Sequence, residues 1–168
     1  MTRLLVVFLS LMLMAAIVGC GSKEDTGETE TAVETAAEEA GDDAVVQEPG
    51  VIAVQHILIA FEGTLPGKPV SRTQDEAKTL AGEIFEKAKS GEDFDALVKE
   101  HTDDAYPGIY KMANFNGQPD MAQQIYPRAR MVPAFGNVGF KLQVGEIGLA
   151  EFDPKTSPYG WHIIKRVE

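Results

Sequence analysis

The chain is poor in cysteine: Cys20 is the only one in 168 residues. No disulfide can form within it, so any folded part must hold without a covalent staple. Positive charge is scarce as well. Fifteen Lys and Arg stand against 26 Asp and Glu, a net charge of −11. That balance leaves no broad basic field of the kind nucleic-acid binding needs, and no nucleic-acid partner is expected. A long apolar run is also missing. The stretch from Leu4 to Val18 is broken only by Ser10, but it falls short of the roughly 20 residues that a membrane-spanning helix needs. There is no internal repeat.

What is present is unevenly spread. Residues 21–50 hold ten acids against Lys23, a net of −9, while residues 1–20 carry only Arg3. Residues 51–168 are left near neutral, at −3. The acidic stretch reads as a disordered, solvated tether. Thirty flexible residues span on the order of 30 Å, and self-repulsion extends them further. Pro49-Gly50 marks the end of the tether. Residues 1–19 have the form of a secretory signal: one positive charge, an apolar core, then small residues. Ile17-Val18-Gly19-Cys20 resembles the bacterial lipobox. The resemblance implies a lipid on the Cys20 thiol, cleavage before it, and acylation of the new amino terminus. Two or three acyl chains give stable anchoring where one does not. The expected organisation is a signal peptide over 1–19, an acylated Cys20 with a linker over 20–50, and one folded domain over 51–168. Gly21 after Cys20 favours the outer membrane, facing the periplasm, in a Gram-negative cell. Otherwise the outer face of the cytoplasmic membrane is expected.

Within the domain the periodicity sets the elements. Val51 to Ala60 is a compact, β-branched apolar run and predicts a central strand. Gly63, Pro66, Gly67 and Pro69 make the next segment a loop. Thr73 and Glu76 form a capping box opening a helix whose apolar face carries Ala77, Leu80, Ala81, Ile84, Phe85 and Ala88, and Gly91 closes it. A shorter helix follows Asp93. Tyr106 to Arg130 contains three prolines and two glycines and reads as irregular, with a short strand near Lys111–Phe115. A short helix is predicted over Pro133–Phe140, then a turn at Val144-Gly145 into a strand, and a last strand over Gly160–Val167. The order predicts an α+β fold, a small antiparallel sheet covered by helices.

Three features bear on chemistry. His56 lies mid-strand with Val54 and Leu58 on its face, and His162 mid-strand with Gly160 and Ile164 on its own. Two strand histidines can meet across a sheet. Met131, Pro133, Phe135 and Phe140 supply apolar surface for a pocket. Taken singly each is ordinary: a strand histidine is more often a satisfied core or surface residue, and a Met/Phe cluster is more often core.

The segments together say more. Val54-Gln-His-Ile-Leu-Ile59, Phe94-Asp-Ala-Leu-Val-Lys-Glu-His-Thr-Asp-Asp104, Met131-Val-Pro-Ala-Phe135, Phe140 to Ile147 and Ser157 to Arg166 resemble, in order, the motifs of the parvulin-type peptidyl-prolyl cis/trans isomerases. The resemblance covers nearly all of 52–167. It implies a parvulin-like (FKBP-like) fold and isomerisation of X–Pro bonds in unfolded or exported polypeptides. By position, His56 and His162 match the family's paired histidines, and Asp104 its acidic or cysteine position near the substrate carbonyl. Met131, Phe135 and Phe140 match substrate-binding walls, and Thr102 a hydroxyl bonded near the histidines. No cofactor and no metal are implied, and a monomer is expected.

The resemblance fails at one place. The family's usual Gly-Gly-Asp-Leu-Gly-like turn is replaced by Pro107 to Asn116, and Gly117 to Arg130 lengthens the loop. The third pocket wall is then open among Ile109, Met112 and Phe115. The extra segment is read as a tolerant surface loop, with a lid or partner surface as the other reading. Lys68 and Arg72 are too sparse for a phosphate-reading cluster. His101 is read as a surface residue at a helix end, where the dipole favours it. Two functions remain: an isomerase assisting the folding of exported proteins, or a catalytically weak chaperone that holds unfolded clients in the same groove.

Overall fold

The computed structural model describes residues 47–168. The signal segment, Cys20 and most of the acidic linker lie outside the described residues. Eight principal elements follow the chain: β1 (Val51–Ile59), α1 (Gln74–Lys89), α2 (Phe94–His101), β2 (Ile109–Ala113), β3 (Ile125–Pro127), α3 (Pro133–Lys141), β4 (Ile147–Ala150) and β5 (Trp161–Arg166). The sheet order is β3-β2-β1-β5-β4. β1 lies at its centre, antiparallel to both β2 and β5, and β4 is antiparallel to β5. The expected all-antiparallel sheet is corrected at one edge, where β2 and β3 run parallel. No hairpin turn joins those two strands. The longer 114–124 connection carries the chain back to run the same way.

Both faces of the sheet are covered, which explains why β1 reads as a continuous apolar run. Every β1 residue from Ile52 to Ile59 is buried. Ile57 and Ile59, with Trp161 and Ile163 of β5, meet the apolar face of α1 and α2. Ile52 and Val54, with Met112 and Ile164, meet Phe135 and Phe140 of α3. α1 starts as the sequence predicts: Thr73 N donates to Glu76 Oε2 at 2.7 Å, and Glu76 N to Thr73 Oγ1 at 3.3 Å. α2 starts where Asp93 accepts from Ala96 N at 3.0 Å.

The 107–130 segment is built into the domain, which corrects its reading as a free surface loop. It supplies β2, β3 and two single-turn 3-10 helices, Met121–Gln123 and Arg128–Arg130. Arg128 clasps it in place. Its guanidinium donates to Glu48 at 2.6 Å, Asn114 at 2.8 Å and Asn137 of α3 at 2.8 Å. It also covers the rings of Phe140 and Phe115 at 4.6 and 5.1 Å. Asn114 N donates to Gly50 O at 2.8 Å, so Glu48 to Gly50, expected in the linker, are bonded into the folded unit.

Candidate active site

The β1–β5 register sets His56 opposite Ile164, and Leu58 opposite His162. The two histidines are thus diagonal neighbours on the α3 face. Two glycines allow the backbone to close around them. Gly108 O accepts from His56 N at 2.9 Å. Gly108 has φ +65°, and a Cβ there would stand 2.5 Å from His56 O. Gly160, two residues before His162, has φ +140°, and a Cβ there would stand 2.1 Å from Ile59 O. No side chain fits at either position.

Asp104 arrives from the turn after α2. Thr102 sets that turn: its Oγ1 accepts from Leu58 N at 3.1 Å and from Asp104 N at 3.2 Å. The next residue, Asp103, points elsewhere, accepting from Ala60 N at 2.8 Å and from Arg72. Asp104 faces the sheet, where Oδ2 lies 3.0 Å from His56 Nε2 and accepts from Tyr110 Oη at 2.7 Å. His56 Nδ1 in turn lies 3.2 Å from His162 Nδ1. Four side chains from β5, β1, the α2 turn and β2 form one chain of hydrogen bonds.

The environment orders its protons. The bond from His56, with help from Tyr110, holds the Asp104 carboxyl well below the usual carboxylate range, against the opposing effect of burial. Burial, and then Asp104, push the Tyr110 hydroxyl up, so it stays a donor. Burial, and then His56, bring His162 from 6.5 down to about 3, so its ring is neutral. A carboxylate only accepts, so His56 Nε2 carries a proton. The contact between the two Nδ1 atoms needs one proton held between the rings. His162 Nε2 is buried without a partner among the described residues.

These groups line one side of a cavity of about 300 Å³. Leu58, Met131, Val132 and Phe135 contribute apolar lining, and Leu65, Arg130 and Tyr159 complete it. The Phe135 ring meets that of His56 edge-on, with centroids 5.0 Å apart. The space suits a small apolar ring beside an ionised carboxylate.

His56, Asp104, His162, Met131 and Phe135 are therefore brought together. Thr102 stands behind them and holds Asp104. Phe140 does not reach the cavity: it is 2% exposed in the core against Ile52, Val54 and Met112. Helix geometry is the reason, because five residues turn an α-helix about 140° past Phe135, whereas Met131 enters the lining from the extended chain just before α3. Ile109, Met112 and Phe115 are not wall residues either. Met112 is core, while Ile109 and Phe115 are 51% and 78% exposed. The missing side chain is Tyr110, which alternation along β2 places on the α3 face with Met112. Lys68 and Arg72 both bond to Asp103, Lys68 at its carbonyl and Arg72 at its carboxylate. His101 is mostly buried rather than on the surface, at 18% side-chain exposure. Among the described residues no group of three or more His, Cys, Asp or Glu could hold a metal ion.

Residues 42–168 match the PPIC-type PPIASE domain family. The chain is 34% identical over 115 residues to Chaperone SurA of Pseudomonas fluorescens, covering 68% of this chain and 22% of that one. It is 32% identical over 115 residues to Foldase protein PrsA of Caldanaerobacter subterraneus, covering 68% and 28%. The chain thus spans less than a third of either curated relative. Among solved structures, peptidyl-prolyl isomerase ESS1 of Candida albicans aligns with a TM-score of 0.52 at 23% identity, over 73% of this chain and 66% of that one. TbPIN1 aligns with a TM-score of 0.52 at 20% identity, over 71% and 99%. These two likenesses establish the fold, a parvulin fold as the sequence predicts. The family match over most of the chain shows that it belongs to the PPIC-type PPIase domain family.

Proposed function

We propose that the chain is a peptidyl-prolyl cis/trans isomerase that assists the folding of exported polypeptides from a lipid anchor in the cell envelope. One observation carries the catalytic part: the His162–His56–Asp104–Tyr110 chain of hydrogen bonds along one side of an apolar cavity. The foldase and chaperone names of the partial relatives support the folding role. The anchor rests on Cys20 and the apolar run before it.

The chemistry needs no bond cleavage. Amide resonance keeps a barrier of roughly 18–20 kcal/mol on the X–Pro bond. Resonance places negative charge on the carbonyl oxygen and shortens the C–N bond. An ionised Asp104 beside that oxygen opposes this charge distribution and so weakens the double-bond character. The twisted amide is less polar than the planar one, and an apolar cavity favours it. Met131 and Phe135 grip the proline ring while the preceding carbonyl swings. His56 and Tyr110 keep Asp104 ionised and aimed, and His162 fixes the His56 ring. None of these residues is consumed.

The test is isomerisation of short X–Pro peptides by the purified chain in mild detergent. Acceleration that disappears in a His56→Ala, Asp104→Ala variant is expected. A folded protein that binds such peptides without accelerating them would replace this reading with the holding-chaperone one. The anchor is tested separately: incorporated radiolabelled fatty acid should vanish in Cys20→Ala, and unchanged labelling would remove Cys20 from the account.

A further inference from the structure

A second groove adjoins the cavity. It encloses about 470 Å³ between residues 105–111 and the stretch 123–126, and Tyr110 lines both hollows. Ala105, at its near end, directly follows Asp104. The sheet register explains why it is open. β3 pairs only with Lys111 to Ala113, so Ile109 and Tyr110 lie beyond the end of that ladder. Gln124 turns the chain away there with φ +59°. The result is a short length of strand edge with no paired strand on that side among the described residues, beside a hollow. Its lining is mixed: the phenols of Tyr106 and Tyr126, the amides of Gln123 and Gln124, and one cation, Lys111. Tyr106 donates to Asp95 and Gln123 to Asp120, which leaves their oxygens as acceptors. Neutral donors and acceptors along a strand edge suit an extended main chain more than any one side chain. The groove is made by the segment in which the chain departs from the usual parvulin turn.

We propose that this groove is an extension of the substrate site, binding the extended polypeptide that continues from the proline held in the cavity. Tyr110 is the shared wall at which the occupant passes from one hollow to the other. The proposal rests on the isomerase reading for the identity of the occupant, but the groove's occupation can be read independently. Remote binding of this kind raises kcat/KM for long substrates over short ones. One or two added main-chain hydrogen bonds correspond to a gain of about tenfold.

The experiment uses the full chain in mild detergent and two peptides, an X–Pro tetrapeptide and the same sequence with its flanks extended by eight residues on each side. A third peptide is the extended one with proline replaced by alanine. The long peptide should be isomerised about tenfold more efficiently than the short one, and Gln123→Trp, which fills the groove, should bring the ratio near one. Hydrogen exchange should slow at 105–111 and 121–126 with the proline-free peptide, a measurement on the unaltered protein that does not depend on the variant. Equal efficiencies with exchange changed only around His56 and Met131 would overturn the groove and leave the isomerase standing. Slowed exchange at the groove with no isomerisation of either peptide would support the groove and overturn the isomerase. No slowing at the groove and no isomerisation would overturn both.

Discussion

The two faces of the sheet use the same strands for different ends. On the α1–α2 face, β1 and β5 contribute Ile57, Ile59 and Ile163, each with 0% exposure, and the space is filled. On the α3 face the same strands, one residue out of phase, contribute His56 and His162, and the packing stops short to leave a cavity. Close packing makes the first face the source of stability. The second gives up apolar contacts and buries polar groups, a cost met by linking nearly all of them through hydrogen bonds. The contrast implies that stability and activity separate by strand phase.

The sharpest way to break the contrast is at the closed face. Ile163→Ala is expected to destabilise the domain by about 3–4 kcal/mol, read from urea unfolding, with kcat/KM kept while the protein is folded. A loss of activity without loss of stability would sink the division. Next, Asp104→Ala should lower kcat/KM on the order of a hundredfold, the scale of a lost electrostatic group, while stability falls by about 1–3 kcal/mol because His56 Nε2 and Tyr110 Oη lose their acceptor. A large stability loss with a modest rate effect would place Asp104 among structural residues.

Acid should act chiefly through the α3 face. His162 has a folded pKa below its unfolded value, about 3 against 6.5. Below pH 6.5 the unfolded chain takes up a proton that the folded one refuses, so stability falls until about pH 3. By pH 5 the loss should be about 2 kcal/mol, and it should be absent in His162→Phe. Asp104 adds to the fall at lower pH: its folded pKa is depressed below 3.8, so its contribution, full above that value, is lost as pH drops through the folded one. Equal acid sensitivity in His162→Phe and the parent would refute the burial argument. The smallest effect is set at the cavity wall. Met131→Ala should raise KM about tenfold, the worth of a few lost apolar contacts, with little change in kcat. A fall in kcat alone would mean that Met131 does not grip the proline ring.

Much of this was legible because its signals are local. The Thr73–Glu76 box, the Asp93 cap and the apolar spacing along α1 each lie within a few residues of sequence. The paired histidines, Asp104, Met131 and Phe135 were legible through resemblance, since neither phase nor spacing says that two strands are neighbours. What was missed depends on contacts between distant residues. β3 is three residues long and exists because β2 lies beside it. Tyr110 reaches Asp104 because β2 pairs with β1 in one register, Val54 against Tyr110. Arg128 is an ordinary surface residue until Glu48, Asn114 and Asn137 converge on it. Phe140 was misplaced by counting apolar residues without counting the turn of the helix between them.

Asp103 and Asp104 are joined by one peptide unit, yet they serve two masters. Asp103 is held by Arg72 and Lys68 at the far end of the 61–72 loop, and that loop also carries Leu65 into the cavity lining. Rim and charge are thus tied through one peptide unit, like a lever with a fulcrum one residue wide, and pressure on Leu65 is expected to be felt at the Asp104 carboxylate. Relaxation-dispersion measurements should find residues 61–72 and Asp104 exchanging at a common rate, and separate rates would show the lever to be broken.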